Sequence, residues 1–493
     1  MNIIGGLDVG TTGCKIALFN PKGENLKTYY YEYKTTHTNG KHEIDFSDVK
    51  SGVINLLKTA ANKYKIDALG VTSFGETYCL LDQNDNILAP SMLYTDPRGE
   101  AECTTLCDVL GEADLTLITG VKPHSMYSIS KIMWQKLNTP DIFAKTKKIL
   151  LGEDFIVYTL TGNSQIDYSL AARTAAFDIE KRCWSKKILD FVGIDSSILS
   201  TPVASGTVAG LIKDSIKKEL DIDYSFTVVN GCHDQVAAMI GSGINDITQA
   251  MDGTGTVECI PIIISKKTDN LKFYEGGFCL VPYPFGGYAC YAFSFTGGAT
   301  LKWFRDNFAE CEQEKAQRDG KNVYALLDSK LKDKPTEILI LPHFAGAATP
   351  YMDNDSKAAF VGITLETTKY DIYKALMEGT SYEMLLNFNT LKNFSGEIEE
   401  IRATGGGASS DVWLQIKADI LNTKMVALNC KEVGAAGTAA LAGKALGIID
   451  DLSSFISACA PVRKIFTPCK EKTEMYSSLY KKYEKLYNSV RNL

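Results

Sequence analysis

The sequence predicts an α/β protein made of two similar halves that face each other across a cleft, and three observations carry that reading. Strands and helices interleave from one end of the chain to the other. A glycine-threonine loop, Asp8-Val9-Gly10-Thr11-Thr12-Gly13-Cys14-Lys15, follows the apolar start Ile3-Ile4. A second loop, Asp252-Gly253-Thr254-Gly255-Thr256, leads into Val257-Glu258-Cys259-Ile260, half a chain away in 493 residues. Each reads as strand, tight turn and strand, with glycine where backbone approaches a ligand or turns through positive φ. Threonine hydroxyls and free N–H groups in such turns form a concave nest for phosphate oxygens. Two nests at this spacing point to one nucleotide held between the halves.

The elements follow in order. After the first hairpin, Val49, Val53, Leu56, Leu57, Ala60 and Tyr64 recur at helical spacing and predict a helix from Ser47 to Tyr64. Ala68 to Thr72 is a short buried strand, and Met126 to Leu137 an amphipathic helix with its lead-in. Phe226 to Asn230 is another buried strand. The pattern resets at Gly241 to Asp246, which divides the chain into domains 1–243 and 244–493. Beyond it come strand Ile338 to Leu341, helix Tyr370 to Asn387, strand Glu400 to Thr404, and helices Asp411 to Leu421 and Val433 to Leu446. Asp306 to Lys334 is a charged helical excursion, and Lys472 to Leu493 closes the chain as one amphipathic helix.

Composition narrows the function. Hydrophobic content of 45 % and charged content of 23 % are ordinary for a soluble globular protein. A net charge of −7 argues against a nucleic-acid surface, which needs a basic patch or stripe. A phosphorylated ligand is then held by local N–H groups and a metal. The start lacks the basic and apolar regions of a signal peptide, and no apolar run reaches the roughly 18 residues of a membrane helix. A cytoplasmic protein without a membrane partner is expected. The thirteen cysteines are scattered, and Cys103 and Cys107 have no second pair to complete a metal site. They read as small hydrophobes in a reducing compartment.

Several residues are candidates for chemistry. Asp234, in Val229-Asn230-Gly231-Cys232-His233-Asp234-Gln235, follows a buried strand that ends at Gly231, with a helix beginning near Gln235. Such an aspartate is either a helix cap or a base that takes a hydroxyl proton as the oxygen attacks phosphorus. Glu76 and Thr77 follow one strand end, and Asp96 and Arg98 another. They suit a polyhydroxylated ligand, or serve as turn residues. Gly405-Gly406-Gly407-Ala408-Ser409-Ser410-Asp411 links a strand to a helix and lets backbone approach a ring or ribose phosphate. It is neither the G-x-G-x-x-G fingerprint nor a P-loop. His233 alone among the histidines adjoins a candidate catalytic group, and reads as a sugar contact; His37, His42, His124 and His343 lack metal spacing.

Taken together, these segments resemble the FGGY carbohydrate kinases, which include glycerol kinase, xylulokinase, ribulokinase and gluconate kinase. Met126-Tyr127-Ser128-Ile129-Ser130-Lys131-Ile132-Met133-Trp134 looks like the first family signature, with Gln135 where an apolar residue is usual. Ala358 to Ile363, followed by Asp371-Ile372, Ala375 and Glu378, looks like the second, and Leu341 to Gly346 with Thr349-Pro350 resembles the stretch before it. The resemblance implies two actin-like, ribonuclease H-like domains with ATP and Mg²⁺ in the cleft between them. By position it places Asp8 near the metal, and Gly10, Thr11, Thr12 and Lys15 around the phosphates. Gly253, Thr254 and Gly255 would face the γ-phosphate. Gly298 and Lys302 match nucleotide contacts, and Gly406, Gly407 and Asp411 the adenosine site. Asp234 matches the general base, and Glu76, Asp96, Met126, His233 and Gln235 the substrate pocket.

The implied activity is ATP-dependent phosphorylation of a small sugar or polyol by in-line transfer. A pentulose such as xylulose is the first choice; a tetritol, another ketose, glycerol and an aldonate are the alternatives. Glycerol kinases carry Arg-Glu where this chain has Gly75-Glu76, and xylulokinases usually carry Met-His. The Glu76 carboxylate is expected to disfavour acidic sugars unless Arg98 turns inward to pair with it. A sugar-independent ATPase and a non-catalytic sugar sensor are the competing readings. A homodimer is carried as the assembly expectation.

Overall fold

The computed structural model describes residues 1–38 and 40–492. The first sheet is built from β1 (Ile4–Val9), β2 (Gly13–Phe19), β3 (Asn25–Glu32), β4 (Ala68–Ser73), β5 (Val208–Leu211) and β6 (Thr227–His233). Its order is β5-β6-β4-β1-β2-β3, with β1, β4 and β6 parallel and β1-β2-β3 an antiparallel meander. The second sheet comprises β7 (Gln249–Thr254), β8 (Glu258–Ile264), β9 (Leu280–Pro282), β10 (Tyr288–Ser294), β11 (Glu400–Thr404), β12 (Lys424–Leu428) and β13 (Val462–Phe466). Its order is β9-β10-β8-β7-β11-β12-β13. Here β7, β11 and β12 are parallel and β7-β8-β10 is the antiparallel meander. Both sheets therefore begin with a hairpin and add parallel strands on the same side of its first strand. The division expected at 243/244 falls between β6 and β7.

The principal helices are α1 (Phe46–Ala61), α2 (Ser128–Asn138), α3 (Asp234–Gly241), α4 (Gly298–Phe308), α5 (Lys369–Ser395), α6 (Asp411–Leu421) and α7 (Val433–Ala445). The Asp45 side chain caps α1 by accepting from the Ser47 N–H, and Val49, Val53, Leu56, Leu57 and Ala60 bury its apolar face. A capping box between Thr368 and Asp371 starts α5, which runs eight residues past the expected end at Asn387. The charged stretch is helical, as Glu310–Asp319 and Val323–Asp328 after α4. The expected single terminal helix is instead two, Lys470–Tyr483 and Leu486–Val490, and its last residue, Leu493, lies outside the described residues.

Helix α7 comes from the second half of the sequence yet packs across β1, β4 and β6 of the first sheet and along α3. Its sequence, Val-Gly-Ala-Ala-Gly-Thr-Ala-Ala-Leu-Ala-Gly-Lys-Ala, keeps side chains small and lets backbone meet backbone. A Cβ on Gly6 of β1 would stand 1.8 Å from the Ala435 carbonyl oxygen. One on Gly241, at the end of α3, would stand 1.8 Å from that of Val433. Neither position accepts a methyl group without moving an element.

Gly241→Ala is accordingly expected to cost about 3 kcal/mol of stability in urea denaturation, the upper end of ordinary overpacking. Lys444→Ala, on the exposed side of α7, should stay within about 0.5 kcal/mol. A Gly241→Ala loss below about 1 kcal/mol would mean that the contact yields freely.

Candidate active site

The first hairpin is held from beneath. The Gly10 N–H donates to the Gly13 carbonyl at 2.9 Å, and the Tyr33 hydroxyl donates to the Gly10 carbonyl. This leaves Thr11 half-buried and Thr12 exposed at the tip. Register pairs Asp8 on β1 with Lys15 on β2. The Lys15 ammonium lies 3.4 Å from the Asp8 carboxylate and 3.0 Å from that of Glu432, the residue before α7. Burial raises the Asp8 carboxyl above its usual range; Lys15 pulls against this and Glu432 adds to it.

The second hairpin is tied more tightly. The Thr254 hydroxyl donates to Asp252 Oδ1 at 2.7 Å and accepts from Lys417 at 2.7 Å, and the residue is 1 % exposed. Thr254 was expected to face the γ-phosphate with Gly253 and Gly255; its hydroxyl is engaged by Asp252 and Lys417 within the protein. Gly255, Thr256 and Val257 form the exposed tip, with Gly253 partly buried behind it. The Gly298 N–H, opening α4, donates to the Gly255 carbonyl at 2.9 Å, so α4 starts against this hairpin. Lys302 lies one turn further on, exposed and paired with Asp306 at 2.6 Å. Gly406 is exposed and Gly407 partly buried in the loop before α6. The Asp411 carboxylate is held by Arg463 and Lys464 of β13, each at 2.7 Å, one on each oxygen, and the side chain stays exposed with acceptor sites to spare.

Asp234 is the first residue of α3, and His233 ends β6 two residues beyond the expected strand end. The position before the helix belongs to His233, so the Asp234 carboxylate is not spent as a cap. His233 Nε2 lies 3.2 Å from Asp234 Oδ1. The His233 N–H donates to Ser169 Oγ at 2.9 Å, while its ring Nδ1 is buried with no partner among the described residues. Burial, then the charges of Asp8 and Glu76, push the Asp234 carboxyl up to about 7, against the Gln235 N–H and Arg173. Burial and Arg173 hold the His233 imidazole well below its ordinary range, so the ring is neutral. Gln235 sits in the same first turn of α3, and Met126 in the lead-in to α2, both partly buried.

Glu76, 4 % exposed, has a left-handed backbone (φ 65°) just past β4, where a non-glycine residue is strained. Its carboxylate accepts from Arg173 Nε at 2.6 Å, with a second guanidinium nitrogen also in contact. Arg173 follows the short helix Tyr168–Ala172, lies over the Tyr127 ring at 5.1 Å and reaches Cys279 Sγ of the second half at 3.6 Å. Arg98 does not turn toward Glu76. It pairs with Asp96 and Glu43, each at 2.6 Å. Asp96 also accepts from the His42 N–H at 2.8 Å and the Arg98 N–H at 3.0 Å, so its carboxylate braces a loop. Asp96 was expected in the substrate pocket; its four acceptor sites are occupied within the protein.

Sequence reading missed two residues, Arg173 and Lys417. Arg173 lies in no motif. Lys417 left a trace: it sits four residues after Trp413 and three before Ile420, on the apolar stripe of α6, where a lysine needs a buried partner. Among the described residues, no group of three or more His, Cys, Asp or Glu side chains forms a ready metal site.

Comparison with known proteins agrees along the whole chain. The N-terminal domain profile of the FGGY family of carbohydrate kinases matches residues 3–241, and the C-terminal domain profile matches 255–446. The xylulose kinase of Staphylococcus xylosus is 27 % identical, over 98 % of this chain and 99 % of that one. The ligand-bound xylulose kinase structure from Lactobacillus acidophilus superimposes with a TM-score of 0.89 at 23 % identity, covering 100 % of this chain and 99 % of that one. The gluconate kinase structure from the same organism gives 0.89 at 24 % identity, covering 99 % and 98 %. These two likenesses show the shared two-domain fold.

Arg173→Met should cost about 3–5 kcal/mol, because it leaves the Glu76 charge buried without a partner. Adding Glu76→Gln should recover most of that loss in a double-mutant cycle of urea midpoints. Simple additivity of the two losses would show that the pair is not coupled.

Proposed function

The chain belongs to the FGGY family of carbohydrate kinases and is an ATP-dependent sugar kinase, and we propose that it phosphorylates a neutral ketose, first of all a pentulose such as xylulose. The observation that carries the substrate is the Glu76–Arg173 pair beside Asp234. The pair offers acceptors and donors to sugar hydroxyls while its charges cancel. An aldonate would need a free cation, and Arg173 is committed to Glu76. The reason for excluding acidic sugars therefore shifts from repulsion by a bare carboxylate to the lack of an available positive charge. Relatives named xylulose kinase support this choice, and the relatives named gluconokinase supply the alternative.

In this reading the domains are 1–243 and 244–493, and ATP lies between the two hairpins. Asp234 is the general base. A sugar hydroxyl donates its proton to the Asp234 carboxylate as its oxygen attacks the γ-phosphorus and ADP leaves. A carboxyl held up to about 7 suits that task near neutral pH. The neutral His233 ring orients substrate and does not compete for the proton. The backbone N–H groups of both hairpins neutralise developing charge on the transferred group. Closure of the domains excludes water, which would otherwise waste ATP.

Mg²⁺ fits these residues. Asp8 and Asp234 each raise their charge cost through burial, and Asp8 weighs on Asp234, so a cation between them relieves both. Asp8 would hold the ion through phosphate and water oxygens, the ligands Mg²⁺ favours. When bound it supplies charge neutralisation to the phosphates. No helix among the described residues is long and apolar enough to cross a membrane. We place the reaction in the cytoplasm and carry a homodimer as the assembly, to be checked by light scattering.

A coupled ADP-release assay tests the proposal. Xylulose should exceed gluconate in kcat/KM by about tenfold or more, a difference of about 1.4 kcal/mol. Asp234→Asn should lower kcat by about 10² to 10⁴ with ADP affinity unchanged. Robust turnover of gluconate with neutral pentuloses inert would overturn the substrate. A folded Asp234→Asn variant keeping more than about a tenth of wild-type kcat would overturn the base. ATP hydrolysis indifferent to every sugar would revive the ATPase reading.

A further inference from the structure

We propose that Lys417 is a positioning residue for phosphoryl transfer, fixing the second hairpin to α6 so that the hairpin is preformed for the terminal phosphate of ATP. The inference rests on the reading that this hairpin faces the γ-phosphate.

Lys417 is 1 % exposed, in the second turn of α6. Its ammonium donates to Asp252 Oδ2 at 2.5 Å and to Thr254 Oγ1 at 2.7 Å, and it stands 2.7 Å from Glu258 Oε1 as an ion pair. The ammonium also lies 4.7 Å from the centre of the Trp413 ring. Asp252 and Thr254 are on β7 and Glu258 begins β8, so one cation grips both strands of the hairpin at its neck.

The grip extends beyond the hairpin. A Cβ on Gly407, in the glycine loop that precedes α6, would stand 2.6 Å from Thr254 Cβ. Thr254 is thus enclosed between the Lys417 ammonium and the glycine loop. The helix that carries Lys417 begins at Asp411, just after that loop. Hairpin, loop and helix are packed into one contiguous unit, and the exposed Gly255-Thr256 tip stands on it.

Burying a lysine and two carboxylates is costly, and apolar residues of similar size often give equal or greater stability. Core filling alone therefore does not explain the cluster. A fixed hairpin does, because ordering it before the nucleotide arrives removes that cost from binding. Burial pushes the Glu258 carboxyl above its usual range, with Lys417 opposing and Asp252 adding, so Glu258 takes up a proton more readily once the cation is removed.

The test separates positioning from stability. Lys417→Met alone should lower Tm. Lys417→Met with Asp252→Asn removes the ion pair and should regain most of that Tm. In the double variant, calorimetry should show affinity for the β,γ-imido analogue of ATP falling about tenfold, with ADP affinity within about twofold of wild type. Its kcat should fall while KM for the sugar stays constant. Thr254→Val, a milder change of nearly the same shape, should shift the ratio of the two nucleotide affinities in the same direction by about threefold. Wild-type affinities for both nucleotides in the double variant would overturn the proposal, as would a parallel loss of both. A wild-type protein that does not distinguish the imido analogue from ADP would instead defeat the reading of the hairpin itself.

Discussion

Backbone contact between α7 and the first sheet sets the geometry on which the site depends. Helix α7 belongs to the second half of the chain, yet the Ala435 carbonyl oxygen stands where Gly6 would carry a side chain. The same helix lies along α3, with Val433 against Gly241. Its first turn faces the first hairpin, because a Cβ on Gly434 would be 3.1 Å from Asp8 Oδ2. Asp8 on β1 and Asp234 at the start of α3 are therefore held relative to one rigid rod. Interiors packed this closely transmit displacement and do not absorb it. A shift of α7 would move Asp8 and Asp234 together.

Charge is the second constraint. The cleft gathers Asp8, Glu76 and Asp234 and sets Lys15 and Arg173 against them. Lys15 is shared between Asp8 and Glu432, and Arg173 is committed to Glu76. Among the described residues, no lysine or arginine pairs with Asp234, and its carboxyl is raised to about 7. A buried acid in that position is costly in a merely structural setting and useful in a base. With Lys15 shared between Asp8 and Glu432 and Arg173 held by Glu76, neither cation is free for a further anion without giving up a partner.

Much of the fold was legible because its signals are local. Both hairpins, β4, β11, α6 and α7 follow from glycine-threonine turns and from runs whose period is two or 3.6 residues. The position of Asp234 was legible for the same reason: a buried strand meets a helix there. What failed depends on distant partners. Glu76 and Arg173 are separated by 97 positions, and Asp252 and Lys417 by 165, so no local pattern joins them. The internal partners of Asp96 and Thr254 were not legible because a polar residue in a loop looks the same whether it faces a ligand or braces the backbone. The terminal helix was read as one because its apolar spacing continues through the break between Tyr483 and Leu486.

A structure of the protein with xylulose and the β,γ-imido analogue of ATP tests the arrangement most directly. The arrangement predicts a sugar hydroxyl about 2.6–3.2 Å from the Asp234 carboxylate, with Glu76 and Arg173 on other hydroxyls. The triphosphate should span the tips at Gly10-Thr11-Thr12 and Gly255-Thr256. A sugar seated away from Asp234, or a nucleotide whose phosphates touch only one hairpin, would contradict it.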